Sequence, residues 1–287
     1  MIDSLPSLIT EKAKILEDAG IDQGRAEVEI ILCHLLNCDR LNLFMSGALL
    51  LNVDHLNRLD DIVNGRATRY PLQYILEESW FYGRRFFVSP AVMVPTPETE
   101  LLCETAVRFV RKVGLKKPRI LDLGVGSGVI SVTVAKELTD CQIVAVDLSP
   151  EAIEVAQKNA TDLQAADKIE FRPSDLFEAV TGDEKFDLIL SNPPYISDEE
   201  YKTLPPEVLA DPKLALTSGE EGLDAVKLIL RDAPNYLAEG GRLMFEIGYN
   251  QADRVHELTA TDDRYRSIVI LKDLNDVDRV VLLSCED

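Results

Sequence analysis

The chain has 287 residues, with 50 Asp and Glu against 30 Lys and Arg, a formal charge of −20 at pH 7, and 46% of it is hydrophobic. That length accommodates one large domain or two modest ones, and the apolar share can bury a core, which excludes a disordered chain. The acidic excess argues against a protein held chiefly on a phosphate backbone, because such binding rests on a dense basic face and counterion release.

From Leu8 to about residue 70, apolar residues recur at helical spacing. Leu8, Ile9, Ile15, Leu16 and Ala19 share one face, and Gly20 supplies a stop. Asp22 then stands as the cap of a segment carrying Ala26, Ile30, Ile31, Leu35 and Leu36, and a further stripe runs through Leu56, Leu59, Ile62 and Val63. A small helical domain is predicted over 1–75, with Arg58, Arg66 and Arg69 read as a solvated face. Over 76–95 the texture becomes aromatic and β-branched, and WFYGRRFFV around Gly83 predicts a hairpin linker. In VPTPETELLCETAVRFV, Thr96 is expected as N-cap and Pro97 at the first helical position, with Glu98 and Glu100 at the positive helix end.

From Pro118 onward strands alternate with helices. RILDLG, QIVAVD, IEFRPSD, FDLILSN, GRLMFEIG, SIVIL and RVVLLS read as strands, with helices at Ser131 to Leu138, Pro150 to Ala160 and Leu223 to Leu237. Repeated βα units predict an α/β domain over 96–287 whose sheet is mostly parallel and covered on both faces. KDLNDVD is too short for a crossover, so the last strand is expected to be antiparallel.

The N-terminal sequence MIDSLPSLITEKAKIL lacks a basic n-region and an apolar h-region, and no later run approaches the roughly 18 apolar residues of a membrane span. A cytoplasmic protein without membrane contact is expected. The 5 cysteines form no CxxC, so they read as reduced thiols; the 3 histidines lie far apart from one another, so no metal site is expected.

The first α/β strand ends in Asp122-Leu-Gly124-Val-Gly126-Ser-Gly128. Glycines there allow a tight turn and close approach of a ligand at the carboxyl end of a parallel strand. A dinucleotide fingerprint needs its third glycine three residues after the second, whereas position 129 is Val. Asp122 is awkward beside pyrophosphate and natural beside a ligand bearing an ammonium and a sulfonium. Asp147 ends the next strand, where a carboxylate can accept both hydroxyls of a ribose; Asp175 follows the third, as acceptor for an adenine amino group, with Phe177 as an apolar wall. The ordered set points to S-adenosylmethionine rather than NAD.

After FDLIL the chain reads Ser191-Asn192-Pro193-Pro194-Tyr195. This loop should face the same crevice as the glycine loop. A planar amide or aromatic amine is a poor nucleophile, so a site that methylates one must orient the NH₂; the Asn192 side-chain oxygen and the Pro193 carbonyl can each accept one N–H. Pro193 and Pro194 stiffen the loop, and Tyr195 can stack on the flat substrate group.

The glycine loop together with NPPY resembles class I methyltransferases acting on sp² nitrogen. RYPLQYI (69–75), FYGRRFFV (81–88), VPTPETE (94–100), GLD (222–224), EIGYNQ (246–251) and KDLNDVDRVVL (272–282) are similar, in this order, to the release factor N5-glutamine methyltransferase family. The resemblance implies a Rossmann-like sheet behind a helical substrate-recognition domain, and methylation of the glutamine of a Gly-Gly-Gln motif in peptide chain release factors. By position, Gly124, Gly126, Gly128 and Asp147 would hold S-adenosylmethionine, with Asp122, Asp175 and Asn192 beside them. Asn192, Pro193, Pro194 and Tyr195 would hold the amide. A monomer without direct nucleic-acid binding is expected. Thr96 stands where the family usually has Arg, which bears on substrate preference more than on the cofactor. The alternatives are the sister activity on a glutamine of ribosomal protein L3, a nucleic-acid amino methyltransferase, for which −20 offers no cationic track, and a non-catalytic S-adenosylmethionine-binding module, which would have no need of NPPY.

Overall fold

The computed structural model describes residues 4–285, and for residues 47–49 the backbone alone. Residues 1–3 and 286–287, part of the first and last predicted domains, lie outside the described residues. The chain divides into two units, the first reaching to Glu78 and including Pro205–Ala210, the second comprising Ser79–Leu204 and the chain from Asp211 onward.

The first unit is helical: α1 (Leu5–Asp18), α2 (Gly24–Leu36), α3 (Arg40–Leu50), α4 (Val53–Ala67) and α5 (Leu72–Leu76). Ser4 caps α1 by accepting the Ser7 amide, and Ile9, Leu16, Val28, Ile31, Leu32, Leu59 and Val63 are wholly buried at its core. Two expectations fail here. Asp22 caps nothing; α2 starts at Gly24 after an uncapped Gln23, where a Cβ would stand 2.6 Å from the Ala13 carbonyl oxygen, so close packing on α1 fixes the start. Ile30 is 49% exposed, and the buried face of α2 runs through Val28, Ile31, Leu32 and Leu35. Nor do Arg66 and Arg69 form a solvated face. Arg66 is buried and donates to Glu27 (2.7 and 3.1 Å) and Glu207 (3.0 Å), while Arg69 grips both oxygens of Glu207 at 2.5 and 2.8 Å. Burial alone would raise the Glu207 pKa; bonds from Arg69, its own backbone and Arg66 bring it down to about 2.

The hairpin is β1 (Glu78–Phe81) and β2 (Arg84–Phe87), joined by Tyr82 and Gly83, both with positive φ, as a two-residue turn between twisted strands requires. Next come α6 (Thr99–Val113), β3 (Arg119–Leu123), α7 (Val129–Glu137), β4 (Gln142–Asp147), α8 (Pro150–Asp162), β5 (Ile169–Pro173) and β6 (Phe186–Ser191). Short helices α9 (Asp198–Tyr201), α10 (Pro206–Leu209) and α11 (Lys213–Leu216) follow, then α12 (Asp224–Asp232), β7 (Leu237–Glu246), α13 (Ala252–Ala260), β8 (Ser267–Lys272) and β9 (Asp278–Ser284). The sheet has 7 strands in the order β5-β4-β3-β6-β7-β9-β8. All neighbours from β5 to β7 are parallel, and β9 is antiparallel to both β7 and β8. Apolar clusters cover its two faces, one around Leu102, Ile120, Val132 and Leu190, the other around Leu121, Ile189, Ile229 and Phe245. The helix predicted to reach Leu237 stops at Asp232, and Leu237 opens β7. The helix predicted from Thr96 starts at Thr99: Pro97 and Glu98 form a turn closed by Thr99 N on the Thr96 carbonyl (3.3 Å), so Thr96 is not the N-cap.

Candidate active site

From β3 the chain builds outward through β4 to β5, then returns to add β6 and β7 on the other side. A crevice therefore opens at the carboxyl ends of β3 and β6, where an open parallel sheet receives its ligand. The Ser191 hydroxyl donates to the Leu123 carbonyl at 2.8 Å and ties those two strand ends together. A cavity of about 460 Å³ lies there, within the range of small-molecule sites, and Gly124, Gly126, Asp147, Asp175, Asn192 and Pro194 all line it.

Gly124 and Gly126 have φ of +76° and +52°, and a Cβ on either would meet no protein atom within 4 Å, so their missing side chains leave space on the cavity side. Asp147 holds this loop: its Oδ2 accepts the Gly126 amide (2.8 Å) and its Oδ1 the Ser149 amide (2.9 Å). Each carboxylate oxygen keeps a lone pair for a ligand hydroxyl. Asp175 is exposed at the rim. Gly128 is not on the cavity wall; a Cβ there would press on that of Ala156 at 3.1 Å, so it serves the packing of α7 on α8. Asp122 is fully buried beneath the loop, with Oδ2 taking the Ser131 hydroxyl at 2.6 Å and Oδ1 without a partner. Burial pushes its pKa up to about 7 against the bonds from Ser131. Phe177 does not form the expected wall. It stacks on Tyr236 at 4.9 Å within the core, and Leu176 lines the cavity instead.

At the end of β6, Asn192 donates its Nδ2 to Thr99 Oγ1 (3.0 Å), and its Oδ1 is buried with no hydrogen-bond partner. Thr99 donates in turn to Glu246 Oε2 at 2.7 Å. The Tyr195 hydroxyl approaches Glu246 Oε1 at 3.4 Å. Tyr195 and Pro193 are absent from the cavity wall, whereas Pro194 is on it, so the ring is not placed there as a stacking platform. Burial raises the Glu246 pKa to about 7, opposed by the Thr99 bond and by Arg279, and burial also raises the Tyr195 phenol.

The loop is fixed from behind by Gln251, whose Nε2 donates to the carbonyls of Tyr195 (2.9 Å) and Gly222 (3.1 Å) while its Oε1 accepts the Gly248 amide (2.9 Å). Gly222, at φ +69°, passes so close to the Tyr195 carbonyl oxygen that a Cβ would lie 2.2 Å from it. ETE, NPPY, GLD and EIGYNQ thus meet around one loop. Thr99, Glu246 and Gln251 were not singled out from the sequence as site residues. The available signal was that an apolar strand, LMFE, ends in a Glu, and a carboxylate at such a place requires a donor.

The donors and acceptors suit a class I cofactor. Asn192, on the cavity wall, holds an unpartnered buried oxygen that can take an N–H, whereas Asp122, whose Oδ1 is also unpartnered, is fully buried and not on that wall. Among the described residues no group of His, Cys, Asp and Glu could hold a metal ion, and no helix is long and apolar enough to cross a membrane.

Residues 99–221 match the family model described as methyltransferase small domain, and residues 7–76 match the PrmC N-terminal domain. The chain is 40% identical over 271 residues to the release factor glutamine methyltransferase of Koribacter versatilis (strain Ellin345), covering 94% of each. It is 41% identical to the protein of that name from Cereibacter sphaeroides, covering 93% of each. The fold is shared with the T. Thermophilus 16S rRNA N2 G1207 methyltransferase solved in complex with AdoMet and guanosine, at 20% identity and a TM-score of 0.53 over 73% of this chain and 50% of that one. With relatives of this identity matching from one end of the chain to the other, the chain belongs to the release factor glutamine methyltransferase family.

Proposed function

We propose that this protein transfers a methyl group from S-adenosylmethionine to the side-chain amide nitrogen of the glutamine in the Gly-Gly-Gln motif of peptide chain release factors, as a cytoplasmic monomer. The observation that carries it is that Asn192 lines a cavity whose other wall is the glycine loop and Asp147, and that its side-chain Oδ1 is buried without a partner. An acceptor buried without a donor is costly, and a substrate N–H removes that cost.

The cofactor, when bound, supplies a methyl group on a positively charged sulfur. Asp147 would receive the ribose hydroxyls while it keeps the Gly126 amide in place. Asp175, at the cavity rim, would accept from the base, and Asp122, buried beneath the glycine loop, would act on the cationic amino-acid end only from behind that loop. Asn192 Oδ1 would accept one N–H of the substrate amide and so orient its nitrogen, whereas Pro193, whose carbonyl was the expected second acceptor, is not on the cavity wall. Pro193 and Pro194 keep the loop stiff, so little reorganisation is left for the reaction itself. The N–C bond would form as the methyl–sulfur bond breaks, leaving a neutral thioether, and one amide proton then becomes acidic and leaves to solvent, so no strong base is needed beforehand. The helical unit recognises the body of the release factor.

The test is incubation of purified protein with labelled cofactor and intact release factor, followed by tandem mass spectrometry. The methyl group is expected on the Gly-Gly-Gln glutamine. Labelling of ribosomal protein L3 with none on release factor would overturn the proposal.

A further inference from the structure

The two ends of an asparagine amide are nearly the same in shape, so packing alone does not decide which end faces a substrate. The choice matters here. Nδ2 would meet the N–H of a carboxamide donor against donor, whereas Oδ1 accepts it. In the structure Nδ2 lies 3.0 Å from Thr99 Oγ1, and Oδ1 is the buried end without a partner. When Glu246 is ionised it only accepts, so the one proton of the Thr99 hydroxyl goes to its Oε2 at 2.7 Å. A lone pair is what remains for Asn192, and only an N–H satisfies it.

We propose that Thr99, with Glu246 behind it, is a positioning residue for the methyl transfer, fixing Asn192 with its oxygen toward the substrate nitrogen. The inference rests on the glutamine methyltransferase reading and deepens it. Thr99 opens α6 and Glu246 closes β7, so the orientation of the NPPY asparagine is set by elements outside that motif. Both are buried, at 2% and 0% exposure, which shields the chain of bonds from competition with water. The arrangement also explains a selectivity. An acceptor facing the reacting group suits a nitrogen that bears hydrogens and repels the carboxylate of a glutamate in the same place.

Thr99→Val removes the hydroxyl and keeps the branched shape, and Thr99→Ser returns a hydroxyl at the same position. Three quantities are read: the single-turnover methylation rate of intact release factor, its KM, and cofactor affinity by calorimetry. Thr99→Val is expected to lower the rate on the order of 100-fold, as misplacement of a preorganised group does, with cofactor affinity held within about threefold. Thr99→Ser is expected to return the rate to within about threefold of wild type. In an Asn192→Ala background, Thr99→Val should lower the rate by no more than about twofold, because the group it acts through is gone. Thermal unfolding checks that each variant is folded, and Thr99→Ala takes the place of Thr99→Val if the valine variant is not. Full activity of the hydroxyl-free variant, failure of the serine variant to restore it, or multiplicative losses in the double variant would each overturn the inference. A wild-type protein that leaves release factor unmethylated sinks the underlying reading instead; wild-type turnover with indifferent Thr99 variants sinks this inference alone.

Discussion

Asn192 and Asp147 act on different partners, and their variants should separate cleanly. Asn192→Ala is expected to lose about 100-fold in turnover with cofactor affinity within a few fold, measured by single-turnover kinetics and calorimetry. Asp147→Ala should weaken cofactor binding about tenfold or more, since it removes a hydroxyl acceptor and also releases the Gly126 amide it holds at 2.8 Å. Glu246 allows a pH prediction whose sign is fixed by its burial. Its pKa rises from 4.5 to about 7 on folding, so between those values the folded chain binds more protons than the unfolded one and stability falls as pH rises. The full effect is about 3 kcal/mol at most, at about 1.4 kcal/mol per pH unit. Glu246→Gln should flatten that fall in denaturation curves taken from pH 5 to 8; an unchanged slope would show that another group carries it. The fully buried Asp122, also pushed to about 7, contributes in the same direction and stays in both proteins. Asn192, Asp147 and the glycine loop were legible because each lies in a short contiguous motif at a strand end. Thr99 and Glu246 were not, because their meaning comes from meeting across 147 positions of sequence.

At the scale of elements, QIVAVD formed a strand with the bounds its periodicity gave, Gln142–Asp147, because four of its residues are buried on a two-faced sheet and Asp147 ends the run. The strand following α12 was harder to delimit, since Leu237 and Ala238 continue a helical pattern and only pairing of Leu237 with Phe186 makes them a strand. Register with a distant neighbour is invisible to a local window. The same limit concealed Pro205–Ala210, which belongs with the helical unit through Arg66, Arg69 and Glu207. Glu207→Ala removes charge-assisted bonds whose loss costs on the order of 1 kcal/mol after screening at a partly exposed pair. Amides of 205–210 and of the α4 end are expected to exchange hydrogen several-fold faster in that variant, with the β3–β6 amides unchanged. The wild-type contribution should vanish on acidification from pH 4.5 toward 2, as a carboxylate with a lowered folded pKa gives up its bonds.

For the whole molecule the charge of −20 sets the long-range field. Many of the cations are already committed: Arg172 and Arg119 to Glu184, Lys227 and Arg254 to Glu221, Arg264 to Asp262, Arg279 to Asp273. Pairing neutralises those acids locally and leaves the remaining acids to act at a distance, so the surface presents a net anionic field to an approaching partner. Such a field speeds encounter with a basic protein and slows encounter with a nucleic acid, while affecting the chemical step little, because the reacting groups meet only after docking. Raising salt from about 50 to 500 mM shortens the screening length from roughly 14 to 4 Å and should lower kcat/KM for a basic substrate protein and raise it for an acidic one. The rate at saturating release factor should stay within about twofold, since encounter no longer limits it. A kcat/KM that does not respond to salt would mean that recognition rests on shape and on the amide contact at Asn192, with the acidic excess serving solubility alone.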